Sequence, residues 1–176
     1  MDAEAALEAI AAGDMDALAW LYRELRVPVF AVALAITADR GLAEDVLQET
    51  FLRVSTRARM YRPGSTPRAW VVTIARNLAL DAVRSRRREL PDEAVAKAAV
   101  PPVAAGDDQA VAGLTVTAAL LALPMWERQI VVLHAVADLT HAEIARTLGM
   151  PAGTVRWRYR VALGRMETIL EGSGHG

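Results

Sequence analysis

No cysteine occurs in the 176 residues, so disulfides and thiolate metal sites are excluded and a reducing compartment fits. Lysine is nearly missing as well. Lys97 stands alone against nineteen arginines, an imbalance that reads as a coding bias rather than as function. Aromatic residues are only 5% of the chain, although 53% is hydrophobic, much of it alanine and valine. Small side chains of this kind favour closely packed helices over a β-sandwich, so the expected fold class is all-α. No apolar run reaches the roughly 18 residues of a membrane span. The start Met1-Asp-Ala-Glu4 lacks the basic beginning of a signal peptide. These absences predict a cytoplasmic protein with no membrane partner.

A net charge of −1 conceals a segregation of charge along the chain. Residues 1–52 carry ten acids and three bases, whereas residues 53–88 carry ten arginines and one acid, Asp81. Residues 89–114 turn acidic again, with five acids against Lys97, and residues 115–176 are close to balanced. Half of all the positive charge thus lies in one-fifth of the chain. A solvated helical face would spread its arginines, whereas a block of this kind is the footprint of a polyanion-binding surface.

Apolar spacing predicts helices at about 3–12, 15–37, 41–58 and 67–87, then at about 111–123, 125–137, 140–147 and 151–170. Asp14 is the expected N-cap of the second helix, and Pro28 is expected to bend or divide it. Tyr61-Arg-Pro-Gly-Ser-Thr-Pro67 reads as a loop. The organisation expected is two small helical domains, 1–88 and 111–171, joined by a flexible acidic linker at 89–110 that holds Pro91, Pro101, Pro102 and Gly106. A disordered tail is expected at 172–176.

Residues 67–88 form a helix with two unlike faces. Val71, Ile74, Ala75, Leu78 and Ala82 make an apolar stripe. Thr73, Arg76, Asn77, Asp81 and Arg84 fall on another side, and the helix runs into Arg86, Arg87 and Arg88. Trp70 adds a flat π surface that could stack an unpaired base or could serve the core. Residues 140–165 match a helix-turn-helix. Thr140 and Glu143 suit a capping box, Gly149 suits the turn, and Pro151 suits the start of the next helix. Ile144, Ala145, Leu148, Val155 and Ala162 would pack inward. Thr154, Arg156, Trp157, Arg158 and Arg160 occupy the early turns that meet base edges and phosphates.

Three segments in order resemble the extracytoplasmic-function (group 4) bacterial RNA polymerase sigma factors. Ala43-Glu-Asp-Val-Leu-Gln-Glu-Thr-Phe-Leu-Arg-Val54 is similar to the family's polymerase-binding helix. Residues 67–88 are similar to its promoter-melting and minus-ten helix, and residues 140–166 to its minus-thirty-five element. The resemblance implies region 2-like and region 4-like domains that bind core RNA polymerase, recognise both promoter elements and promote melting. Asp45, Gln48, Glu49 and Leu52, which share one helix face, would meet the clamp helices of the largest polymerase subunit. Arg62, Ser65, Trp70, Arg76, Asn77 and Arg84 would meet bases of the melted non-template strand, Asn77 with both donors and acceptors. Arg86, Arg87 and Arg88 would meet phosphates. Control by an anti-sigma factor is implied too. The chain departs from the family pattern where Trp157 replaces the usual serine and Val161 an arginine, so its minus-thirty-five preference is expected to be unusual or that contact to be weaker.

Two rivals remain at this stage. A stand-alone helix-turn-helix regulator would explain residues 140–165 but leave residues 43–54 unexplained. An enzyme would need a site, yet His134, His141 and His175 follow no metal or triad spacing. The reading is therefore of a protein with no catalysis of its own, no cofactor and no small-molecule substrate.

Overall fold

A computed structural model describes residues 1–62, 64–89 and 116–173. Every regular element among the described residues is helical: α1 (Ala3–Ala11), α2 (Met15–Thr37), α3 (Arg40–Arg57), α4 (Pro67–Glu89), α5 (116–122), α6 (Met125–Ala135), α7 (His141–Leu148) and α8 (Ala152–Ser173). A 3-10 turn at Ala58–Met60 follows α3. The all-α expectation holds. The expected linker lies outside the described residues from residue 90 onward, with Glu89 closing α4. α8 runs through Gly172 to Ser173, and residues 174–176 of the expected tail are also outside the described set.

Local chemistry sets the helix starts. Asp14 caps α2 by accepting from the Asp16 and Ala17 amides at 2.8 and 3.1 Å. Asp39 caps α3 by accepting from Leu42 at 3.0 Å. Pro28 does not divide α2, which runs unbroken through it. One lost N–H is offset by the burial of Leu25, Pro28, Val29, Val32 and Ala33 along the same helix. α2, α3 and α4 pack on one another, with α1 against α2. The α4 stripe points where its periodicity said: Val71, Ala75 and Leu78 are buried, joined by Val72 and Ala79, while Ile74 and Ala82 are half-buried. Alanines at Ala69, Ala75 and Ala79 let the helices approach closely, which is the use of so many small residues.

The second half packs α6 and α7 on α8. Thr140 and Glu143 form the full capping box, and Gly149 takes φ 66° at the turn. Val155 and Ala162 are fully buried. His134 and His141 stack at 4.5 Å, with Tyr159 edge-on to both, so three helices meet at one aromatic cluster. His134 Nδ1 lies 2.8 Å from the Leu139 carbonyl. Burial first, then the charges of His134 and Arg156, lower the His141 pKa below the usual 6.5. The neutral ring is thus the form that the fold favours. The stability it contributes is present above pH 6.5 and is lost as pH falls through the lowered folded value. A thermal melt should therefore weaken on acidification below neutrality, well before Asp39 and Glu143 titrate. His141→Phe, which keeps the ring stack, should remove that early part of the pH dependence.

Candidate nucleic-acid interface

Thr66 caps α4, its hydroxyl accepting from the Ala69 amide at 3.3 Å, and Pro67 fills the first turn. With one face of α4 sunk against α2 and α3, the arginines of its C-terminal half are left outside. Asn77, Asp81, Arg84, Arg86, Arg87 and Arg88 are exposed. Arg84 bonds Asp81 at 3.3 Å on the surface, and Arg86 reaches the α3 cap, donating to Asp39 at 2.6 Å. The Leu42 amide, then Arg86, hold the Asp39 carboxyl below its usual 3.8. Of the terminal arginines, Arg87 and Arg88 are therefore freer than Arg86. Arg62 is exposed in the preceding loop, its guanidinium folded onto the Arg59 and Tyr61 carbonyls at 2.8 and 3.1 Å.

Trp70 serves two surfaces at once. It is half-buried, packs against the core, and meets Tyr61 edge-on at 5.8 Å. Tyr61 in turn donates to the Ser65 carbonyl at 2.7 Å, which fixes the loop. The remaining Trp70 surface lines a cleft of about 250 Å³ with Ser65 and Thr73 on one wall and Glu143, Arg146 and Thr147 on the other.

That cleft lies on a seam between the two halves. The Thr66 hydroxyl donates to Glu143 Oε1 at 2.7 Å, and Arg76 donates to Gln129 Oε1 at 2.8 Å. Arg68 reaches the Ala137 carbonyl, and Arg146 the Gly64 carbonyl, both at 3.3 Å. α2 also packs on α6. Arg76 is thus turned toward the other half, and burial, then the Arg84 charge, lower its pKa below the ordinary guanidinium value. Sequence periodicity had no means of finding Gln129, Arg68 or Arg146 as partners of this surface. Glu143 carried only its capping signal.

On α8, Arg156, Trp157 and Arg160 are exposed and Thr154 is half-buried. Arg158 is set apart from them, its guanidinium 4.0 Å over the Trp126 ring of α6. Arg165 pins α8 to the fully buried Glu127. On α3, Asp45, Gln48 and Leu52 are exposed, Leu52 by 62%, and Glu49 bonds Arg53 at 2.9 Å. These four do share one face.

The pattern of Sigma-70 region 2 matches residues 21–89, and that of Sigma-70 region 4 matches residues 114–166. An ECF RNA polymerase sigma factor, SigK of Mycobacterium ulcerans, is 31% identical over 178 residues, covering 98% of this chain and 95% of the relative. EcfG of Rhodopseudomonas palustris is 32% identical over 141 residues, 80% of this chain and 77% of the relative. The chain belongs to the extracytoplasmic-function sigma factors. It is a transcription initiation factor, and a stand-alone regulator would leave the region 2 match unexplained. The fold is that of sigma factors of known structure. One is RpoE of Bartonella quintana, solved with the anti-sigma factor NepR, with a TM-score of 0.74 and 24% identity over 89% of this chain and 96% of that one. CnrH, solved with the cytosolic domain of CnrY, shares the fold too, with a TM-score of 0.71 and 22% identity over 97% of this chain and 99% of that one.

Burial raises the Glu143 pKa, but hydrogen bonds from Thr66 and Thr140 and the Arg146 charge outweigh it and leave the carboxyl below 4.5. Glu143→Ala removes the partner of both threonines. Urea unfolding should report a loss of about 1–3 kcal/mol. Amide exchange should quicken at residues 64–70 as well as at the start of α7.

Proposed function

We propose that this sigma factor binds core polymerase through the exposed face of α3 and reads the minus-ten element with the loop before α4 and with α4 itself. In this reading the non-template bases leave the stack and are met by Asn77, Ser65, Arg62, Arg84 and the open side of Trp70, while Arg87 and Arg88 hold the backbone. Asn77 is the observation that carries the reading. It is an exposed amide, with donors and an acceptor, standing on a rigid helix among arginines. Unstacking costs a few kcal/mol per step, which base pockets must offset. α8 presents Thr154, Arg156, Trp157 and Arg160 to the minus-thirty-five duplex, and Arg158 supports them from its seat on Trp126. Asp45, Gln48 and Leu52 form an acidic surface with an apolar centre, suited to a basic helical partner, with Glu49 held beside them by Arg53.

The seam bears on how the surfaces are used. Arg76 engages Gln129, and Trp70 shares its cleft with Glu143 and Arg146, so the two halves part before the minus-ten surface takes DNA. Arg86 acts on phosphate after releasing Asp39. The protein works by binding, not turnover, in the compartment that holds the polymerase, and an anti-sigma factor controls it by covering these surfaces. The structure of RpoE bound to the anti-sigma factor NepR supports that last point.

Run-off transcription with core polymerase on genomic promoters tests the reading. Promoter-specific initiation is expected, and its absence with every core enzyme tried sinks it. Asn77→Ala should depress promoter opening, followed by permanganate reactivity of unpaired thymines, at least tenfold more than it depresses core binding. Leu52→Arg should do the reverse, weakening core binding roughly tenfold at unchanged thermal stability.

A further inference from the structure

α8 carries one continuous exposed stripe. Gly153, Arg156, Trp157, Arg160 and Gly164 recur at steps of three and four, and all five are exposed. Trp157 leaves 55% of its surface in water. Its large apolar neighbours on α8 turn elsewhere: Tyr159 packs on the two histidines, and Val155 and Ala162 are buried. Arg158 points away onto Trp126. Among the described residues, neither Arg156 nor Arg160 has an ion-pair partner. Gly153 and Gly164 present no side chain, and the space above each is open. The indole therefore stands proud between two uncompensated guanidinium groups, with bare backbone at both ends of the stripe.

The charges say that the partner of this stripe is a polyanion, and the helix-turn-helix says that it is a duplex entered from the major groove. A half-exposed indole gains by meeting something apolar there. At base edges the major groove offers one apolar group, the C5-methyl of thymine. We propose that Trp157 is a specificity-determining residue that packs its indole on a thymine methyl of the minus-thirty-five element, while Arg156 and Arg160 hold the flanking phosphates. This inference rests on the sigma-factor reading above and narrows it to one contact.

The test removes the methyl alone. A promoter that supports run-off is rebuilt with deoxyuridine in place of each minus-thirty-five thymine in turn, on either strand. Binding of the reconstituted holoenzyme is then measured for wild type, Trp157→Ser and Trp157→Phe. At one position wild type should lose about fourfold in affinity, the worth of one buried methyl. Trp157→Ser should bind the thymine promoter more weakly and ignore the change to uridine, and Trp157→Phe should keep part of the sensitivity. Thermal melts should coincide for all three, since the side chain packs on no core. Wild-type indifference at every position, an element without thymine, or equal sensitivity in Trp157→Ser overturns the proposal, while promoter-directed initiation in the same tubes leaves the sigma-factor reading standing. Loss of initiation from every promoter overturns both.

Discussion

Glu143 is almost fully buried with both carboxylate oxygens engaged. Oε2 accepts from the Thr140 amide and hydroxyl at 2.8 and 2.7 Å, which starts α7, and Oε1 accepts from Thr66, which starts α4. One charge therefore fixes the first turn of the helix-turn-helix and the docking of that half on the loop before the arginine-rich helix. A buried carboxylate is tolerable because every bond it accepts is made. Around it the other seam contacts, Arg76 to Gln129 and Arg146 to the Gly64 carbonyl, are longer side chains reaching across a narrower margin.

This arrangement explains why the residues proposed to meet the promoter are unequally available. Asn77, Arg84, Arg87 and Arg88 lie outside the seam, while Arg76 and part of Trp70 lie within it. A helix with a single buried stripe would leave all of them equally free. The partial covering follows from α4 having three neighbours on its polar side: loop, solvent and the second half of the chain. Arg86 is a similar case. The sequence reads it as one of three equivalent phosphate contacts, but Asp39 is close enough to hold it, because α3 begins beside the end of α4.

Much of the local structure was legible because it is decided by neighbours in sequence. Asp14 and Thr140 cap helices through side chains two or three residues from the amides they serve. Gly149 ends α7 because it takes a positive φ at no steric cost. The apolar stripe of α4 and the Asp45–Leu52 face of α3 follow from helical period alone. At Pro28 the helix is not divided, because burial on both sides of the proline carries it through. Arg158 was grouped with the exposed arginines of α8 because only the packing of α6 puts Trp126 beneath it.

By itself, the sequence determined the helical class, the segregation of charge, the helix-turn-helix and the resemblance to sigma factors, all of which rest on composition, period and short spacings. Tertiary structure decided which side chains of the proposed promoter surface are open and which are held. Thr66 and Glu143, Arg76 and Gln129, Arg86 and Asp39 are separated by 77, 53 and 47 residues. Whether such a pair meets depends on how whole helices pack. No residue type or spacing carries that information, since a hydrogen bond or an ion pair asks for complementary groups at about 3 Å and is indifferent to the length of chain between them.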